Sequence, residues 1–199
     1  MGVTPPESPP ELPPESTPEP PPADDPRWLE RAQLGDRDAQ ASLIRGLQDV
    51  WFRYCWSMLR DDEMARDATQ ETARRFLAGL AQFRGASRLR TWSLGIATNV
   101  CRELQRKCPR KLAGEPSLRL VRDDAAGPAD QAVDREDQAA LYRVVEALPD
   151  RQREAVVLRY FEGLSTAEAA EAMACSPGTV KATLSQALRK LRGQLEARA

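Results

Sequence analysis

The chain has 199 residues, of which 41% are hydrophobic and 30% are charged, and its formal net charge is −1. With no apolar run near the roughly 20 residues of a membrane span and no signal-peptide layout, we expect a soluble cytoplasmic protein without direct membrane insertion. The absence of histidine and of any CxxC pair among the four cysteines argues against Ser-His or Cys-His catalysis, a zinc site or another cofactor.

Residues 1–26 form a predicted acidic, proline-rich tail. They hold 11 of the 16 prolines and six acidic residues without a single basic residue. Such a stretch cannot bury enough apolar surface to offset the entropy lost on ordering, so we expect it to be disordered or polyproline-like. A PxxP ligand segment is the alternative interpretation.

Four helices are predicted next and make a helical bundle at residues 27–108. Each carries apolar residues at three-and-four spacing, which is typical of one buried face. Cys55 and Cys101 fall on such faces, where a thiol behaves as a small hydrophobic group. Gly35 ends the first helix and Gly85 ends the third. The predicted spans are residues 26–34, 37–60, 62–83 and 90–107.

Residues 109–135 form a predicted linker, because proline, glycine and acidic clusters interrupt any periodicity there. Helical periodicity resumes at residues 136–199. Ser165 with Glu168 forms a capping box, and Ser176 beside Pro177 begins a further helix. The predicted helices span residues 136–148, 150–162, 166–173 and 177–197, and the last has Val180, Leu184, Leu188, Leu191 and Leu195 on its buried face.

A short helix, a tight turn and a longer basic helix are typical of a helix-turn-helix. With no strand-like alternation, the sequence predicts an all-α protein of two small helical domains on a flexible linker. Residues 84–111 carry eight basic residues against one acidic residue, and residues 178–199 carry five against one. Two separated basic segments indicate two contacts with a polyanion, although either alone is typical of solvated helix surface.

Two blocks of the chain resemble conserved regions of bacterial RNA polymerase sigma factors. DEMARDATQETARRFLAGLAQFRGASRLRTWSLGIATNVCRELQRK, at 62–107, resembles their second region, and LPDRQREAVVLRYFEGLSTAEAAEAMACSPGTVKATLSQALRKLR, at 148–192, resembles their fourth. Both occur in family order without a third domain, which resembles the extracytoplasmic-function subfamily. The resemblance implies a non-enzymatic factor that binds core RNA polymerase and directs promoter-specific initiation at −10 and −35 elements. Region 2 would occupy 27–108 and region 4 would occupy 136–199.

The resemblance also implies which residues bind polymerase. Asp67, Gln70 and Glu71 match the DxxQE residues that dock onto the coiled coil of the β′ clamp, and they share one helical face. Spacing alone favours a solvated polar face for them. Region 4 is expected to bind the β flap, and the family implies an anti-sigma factor as a further partner.

Residues 84–107 resemble the part of the family that opens and reads the −10 element. Arginines there can hold phosphates, Asn99 can bond a base edge, and the loop at Gly85 is the family's pocket for a flipped base. Trp92 could stack on DNA, but we expect it in the core. The residues expected to contact −10 DNA are Arg84, Gly85, Ser87, Arg88, Arg90, Asn99, Arg102 and Arg106.

The second helix of the helix-turn-helix is expected to enter the major groove at the −35 element. Lys181 and Arg189 suit phosphates or guanine, and Gln186 suits adenine. The residues expected to face this DNA are Thr179, Lys181, Ala182, Ser185, Gln186 and Arg189.

Five positions depart from the family's pattern. Thr183 and Gln186 replace arginines, which makes the −35 preference uncertain. Ala174 replaces a turn glycine, and because an alanine at positive φ costs roughly 1 kcal/mol, a shifted turn is expected. Ser93 and Ala73 replace larger apolar residues, so we expect a looser first bundle.

Two alternative functions stay open on the sequence. A stand-alone helix-turn-helix regulator would dimerise on a palindromic operator. A sigma-like interaction module would bind polymerase or an anti-sigma factor without reading a promoter.

Overall fold

The computed structural model describes residues 26–108, 141 and 143–196, and every regular element in these ranges is helical. The predicted tail and linker lie outside the described residues, apart from the helical Pro26. A short helical segment covers 143–146. The helices are α1 (Pro26–Gln33), α2 (Arg37–Leu59), α3 (Asp62–Leu80), α4 (Leu89–Lys107), α5 (Asp150–Val156), the π-helical turn π1 (Val157–Phe161), α6 (Thr166–Ala172) and α7 (Pro177–Glu196).

Most helix ends lie where the sequence predicts them. The capping box is present, with the Ser165 N–H donating to Glu168 Oε2 at 2.8 Å and the Glu168 N–H donating to Ser165 Oγ at 3.2 Å. Gly35 follows α1 with a φ of +91°. The third helix ends at Leu80 rather than at residue 83, and Gly85, with a φ of +69°, lies in the loop that follows.

The turn of the helix-turn-helix retains left-handed geometry at Ala174, whose φ is +52°. The expected shift of this turn is therefore wrong. The Cys175 N–H donates to the Ala170 carbonyl at 2.9 Å, and the Ala174 N–H donates to that of Glu171 at 3.0 Å. These two bonds make a Schellman motif, which holds the alanine where glycine is ordinarily preferred.

Aromatic rings fill the centre of the first bundle. The ring of Phe76 lies 5.2 Å from that of Trp51 and 5.4 Å from that of Trp92, measured between centroids. Trp92 is partly buried and packs against this core cluster, as expected. The Trp51 indole N–H donates to the buried Ser93 Oγ at 2.9 Å. The Ser93 hydroxyl therefore satisfies a buried donor, and the looser packing expected from Ser93 and Ala73 stays a prediction. Ala73 is half-buried and packs against the same cluster.

The N-terminal and C-terminal halves share one hydrophobic core. Tyr54 and Leu94 of the first half belong to the same buried cluster as Leu158, Ala169 and other residues of the second half. The main contact between the halves is the packing of α4 against α6. This contact determines which basic side chains face solvent.

Candidate nucleic-acid interface

Asp67, Gln70 and Glu71 lie together along a groove between α3 and α4, as their spacing predicts. Asp67 and Gln70 are exposed, and Glu71 is half-buried. We call this surface the α3–α4 groove. Its α4 side includes Glu103 and Lys107, so the groove presents acidic and basic groups together.

Arg75, which the sequence analysis did not single out, organises the α3–α4 groove. Its Nε donates to Glu71 Oε1, and its two terminal nitrogens donate to the two carboxylate oxygens of Glu103, all at 2.7 Å. The hydrogen bonds from Arg75 are the main cause that lowers the pKa of both Glu71 and Glu103. The i, i+4 spacing could have revealed the first pair, but the second joins two helices.

Five of the eight residues predicted at the −10 element are exposed. The loop between α3 and α4 presents three of them, and the outer side of α4 presents the other two. Ser87 is half-buried in the loop. The exposed five are Arg84, Gly85, Arg88, Asn99 and Arg106.

Arg102 pairs with the C-terminal half instead of facing solvent. Its Nε and one terminal nitrogen donate to the two oxygens of Glu154, both at 2.8 Å, and the same terminal nitrogen donates to the Met173 carbonyl at 3.1 Å. The Glu154 side chain is 1% exposed. The hydrogen bonds that Arg102 donates to Glu154 raise the pKa of the Arg102 guanidinium above its ordinary value.

Arg90 makes a second ion pair between the halves. One terminal nitrogen donates to Glu162 Oε2 and the other to the Glu162 backbone carbonyl, both at 2.6 Å. The Glu162 side chain is 2% exposed. Burial raises the pKa of its carboxyl, although Arg90 and Arg53 favour the charged form.

All six residues predicted to face −35 DNA are exposed on α7. Val180 and Leu184 are buried beneath them, as predicted. The expectation for Leu188 is wrong, because its side chain is 44% exposed. The buried stripe of α7 continues through Ala187 and Leu191, which leaves Leu188 at its edge. The exposed set is Thr179, Lys181, Ala182, Ser185, Gln186 and Arg189.

Thr183 and Gln186, the two departures on α7, each take part in a hydrogen bond. The Thr183 hydroxyl donates to the Thr179 carbonyl at 2.8 Å, and the Gln152 amide donates to Gln186 Oε1 at 3.4 Å. Thr179 Oγ1 also lies 2.9 Å from the hydroxyl oxygen of Ser176, the residue before α7. Neither departing residue supplies a cation, so the basic groups on this face are at its two ends, Lys181 and Arg189.

Membrane-spanning helices and metal-binding clusters are both absent from the described residues. No helix there is long and apolar enough to cross a membrane. No group of three or more His, Cys, Asp or Glu residues in the described ranges could hold a metal ion. Cys55 and Cys101 are buried free thiols, as predicted.

Comparison with known proteins identifies both halves. The family model described as Sigma-70 region 2 matches residues 43–110, and the one described as Sigma-70, region 4 matches residues 138–191. The ECF RNA polymerase sigma factor SigW of Bacillus subtilis is 28% identical over 176 residues, covering 84% of this chain and 94% of the relative. SigX of the same organism, also named an ECF RNA polymerase sigma factor, is 30% identical over 154 residues, covering 75% of this chain and 79% of the relative.

Solved structures share the fold. CnrH, in complex with the cytosolic domain of CnrY, superposes with a TM-score of 0.66 at 22% identity, covering 89% of this chain and 99% of the other. The sigma factor RpoE of Bartonella quintana, in complex with the anti-sigma factor NepR, gives a TM-score of 0.58 at 22% identity, covering 75% and 92%. From the two matched regions, in family order, and the relatives that span both, we conclude that the chain belongs to the extracytoplasmic-function sigma factors of RNA polymerase.

Proposed function

We propose that this sigma factor divides promoter recognition between its halves, with the −10 element assigned to residues 27–108 and the −35 element to residues 136–199. The observation that carries the proposal is the exposed reading face of α7, where all six predicted contacts lie above a buried apolar stripe. A helix that presents such a face after a tight turn fits the major groove.

The chemistry of α7 suits direct readout of duplex DNA. Lys181 and Arg189 can bond phosphates or guanine, and the Gln186 amide can pair with adenine. The Gln152–Gln186 bond is long and exposed, so exchanging it for a base contact costs little. Because the phosphate contacts release counterions, we expect binding to weaken steeply as the salt concentration rises.

The loop between α3 and α4 is the proposed site of −10 recognition and melting. Arg84, Arg88 and Arg106 are exposed cations that can hold phosphates, and Asn99 can bond a base edge. The positive φ of Gly85 gives the loop a left-handed turn. In the family this loop receives the base that leaves the stack, and Ser87 lies at its half-buried side.

The α3–α4 groove is the proposed docking site for the coiled coil of the β′ clamp. Asp67, Gln70 and Glu71 offer two carboxylates and an amide along one side, and Arg75 fixes the position of the Glu71 carboxylate. The C-terminal half would bind the β flap. The Bartonella relative is in complex with an anti-sigma factor, and we extend that kind of partner to this chain in the cytoplasm.

The proposed role is that of an initiation factor without catalysis of its own. A stand-alone helix-turn-helix regulator is the rival, and it predicts DNA binding that is equally strong with and without core polymerase. An interaction module predicts polymerase binding without promoter-dependent transcripts. Gel shifts with and without core polymerase distinguish the proposed role from a stand-alone regulator. Run-off transcription distinguishes it from an interaction module.

Run-off transcription with purified core polymerase and a genomic promoter library tests the proposal. Asp67→Arg reverses an exposed charge in the α3–α4 groove, so we expect at least a ten-fold loss of core affinity and of transcripts. Asp49→Arg is the matched control, because Asp49 is exposed in the middle of α2 outside the groove. Equal core affinity of the two variants would contradict the assignment of the groove.

A further inference from the structure

A single side chain joins the end of α1 to the end of α3. The side-chain nitrogen of Gln33, Nε2, donates to the Leu80 carbonyl at 3.1 Å and to the Phe83 carbonyl at 2.7 Å. Because a carbonyl oxygen only accepts, both amide hydrogens of Gln33 are used there. Gln33 is the last residue of α1 and is half-buried. One amide therefore binds two backbone groups that lie 47 and 50 positions further along the chain.

The two carbonyls mark the place where α3 ends and the next loop begins. The last carbonyls of a helix have no partner within the helix and need a donor from elsewhere. The Leu80 carbonyl also accepts the Phe83 N–H at 3.2 Å, so Gln33 adds a second donor to this final turn. Residues 84–88 follow directly. We call them the −10 loop, since Arg84, Gly85 and two further predicted −10 contacts lie in it.

Both ends of the −10 loop pack into the apolar cluster that also holds α1. The rings of Phe83, before the loop, and Trp92, after it, have centroids 4.9 Å apart. A Cβ atom added at Gly79 would lie 3.1 Å from Trp92 Cζ2, so the glycine lets the indole lie against the last turn of α3. Leu89, the first residue of α4, is buried in the same cluster as Ala32 of α1. The loop is therefore closed by a ring pair and held at its start by the amide from α1.

The amide of Gln33 sets the direction in which the −10 loop leaves α3. The Phe83 carbonyl and the Arg84 N–H belong to one planar peptide unit, so a bond that fixes the carbonyl also fixes the N–H of the first loop residue. Side chains that bind a ligand from a loop keep their geometry through such supporting bonds, and a shift of about 0.5 Å is enough to weaken them. The exposed Arg84 and Arg88 are side chains of this kind.

We propose that Gln33 is a positioning residue for promoter melting, because its amide holds the peptide unit between Phe83 and Arg84 in the orientation from which the −10 loop receives a flipped base. The inference rests on the proposed function of the loop and adds α1 to it. The match to the region 2 family model begins at residue 43, so Gln33 lies before the matched stretch. It acts through the backbone of the loop and not by contacting DNA.

Gln33→Met in the full-length chain bound to core polymerase tests this proposal, because methionine has a similar length and no donor. The probe is a fluorescent single strand that carries the −10 sequence of the strongest promoter from the run-off library. We expect the affinity for this strand to fall about five-fold, the size of one lost hydrogen bond. The affinities for core polymerase and for a duplex with the −35 element should stay at the wild-type values, which a general loss of folding would not allow.

Gln40→Met is the matched control. The Gln40 amide also donates to a carbonyl at the end of a helix, that of Ala32 at 3.0 Å, but it contacts neither end of the −10 loop. This variant should bind the −10 strand as wild type does, and circular dichroism should show the same helicity in all three proteins. Wild-type affinity of Gln33→Met for the strand, or an equal loss in Gln40→Met, would overturn the inference.

Amide hydrogen exchange separates this inference from the proposed function of the loop. If Gln33 holds the loop, residues 84–88 should exchange faster in Gln33→Met than in wild type or Gln40→Met, since local opening sets the exchange rate. A wild-type complex that binds the −10 strand no better than a scrambled strand would refute the role of the loop in −10 recognition. Unchanged exchange in Gln33→Met would refute the positioning role, whatever the DNA result.

Discussion

The face of α4 that packs against the C-terminal half (the covered face, with Arg90 and Arg102) and the exposed face of α7 have similar patterns of basic and apolar residues but different surroundings. Each helix places basic and small polar residues opposite an apolar stripe, and each is predicted to read DNA. On α4, Arg90 and Arg102 meet buried carboxylates of the other half, whereas the predicted contacts of α7 are exposed. Basic periodicity therefore identifies a polyanion-binding surface without telling whether DNA or the protein's own acidic groups occupy it.

The largest expected difference between the two faces is in stability. Arg102→Ala removes the two-bond partner of the buried Glu154, which then keeps only Arg151 at 2.9 Å, so we expect the free energy of unfolding to fall by about 3 kcal/mol, the lower end for breaking a buried ion pair. Arg189→Ala removes an exposed cation of α7 and should change it by less than about 0.5 kcal/mol. Urea denaturation of the full chain measures both, and equal losses would mean that the covered face is no better paired than the exposed one.

Behind the covered face, Ser93→Ala removes the acceptor for the Trp51 indole, which is fully buried. A buried donor left without a partner costs about 2 kcal/mol, and we expect a loss of that size in chemical denaturation. Ser185→Ala on the exposed face of α7 is the matched comparison, with an expected change within about 0.5 kcal/mol. A neutral Ser93→Ala would indicate that the indole finds another acceptor.

A glycine substitution before α7 and one within its exposed reading face should change stability in opposite directions. Ala174→Gly relieves a φ of +52°, so we expect a gain of about 1 kcal/mol in unfolding free energy. Ala182→Gly, at an exposed position within α7, should lose about 1 kcal/mol. Thermal unfolding of both variants gives the comparison, and a loss at position 174 would show that the left-handed turn carries no strain.

Local patterns predicted much of this molecule. The capping box at Ser165 and Glu168 and the buried Val180 and Leu184 follow from spacing that one helix or one turn contains. The signals for these features lie within a few positions of each other. Patterns within a few residues therefore predicted the helices, the all-α class and the exposed face of α7.

Contacts between the halves could not be predicted in the same way. Glu154 lies 52 positions from Arg102, and Glu162 lies 72 positions from Arg90. No periodicity relates residues at such distances, and an acidic residue beside basic ones is typical of helix surface. The Arg75–Glu103 pair could not be predicted for the same reason, since it forms only when α3 and α4 pack.

The smallest expected effects concern pH, and two glutamates should differ in sign. The pKa of Glu103 is lowered by Arg75, so its contribution to stability is present above the ordinary glutamate pKa and is lost as pH falls through the lowered value. The pKa of Glu162 is raised by burial. The folded state therefore binds that proton more readily than the unfolded state, and the contribution is largest at low pH and lost as pH rises through the raised value. Urea denaturation of Glu103→Gln, Glu162→Gln and wild type across acidic pH measures both slopes. As pH falls, we expect the stability advantage of wild type over Glu103→Gln to shrink. Over the same range, the stability of wild type relative to Glu162→Gln should improve. Slopes of the same sign would contradict the assignment of Glu162 to a desolvated site between the halves.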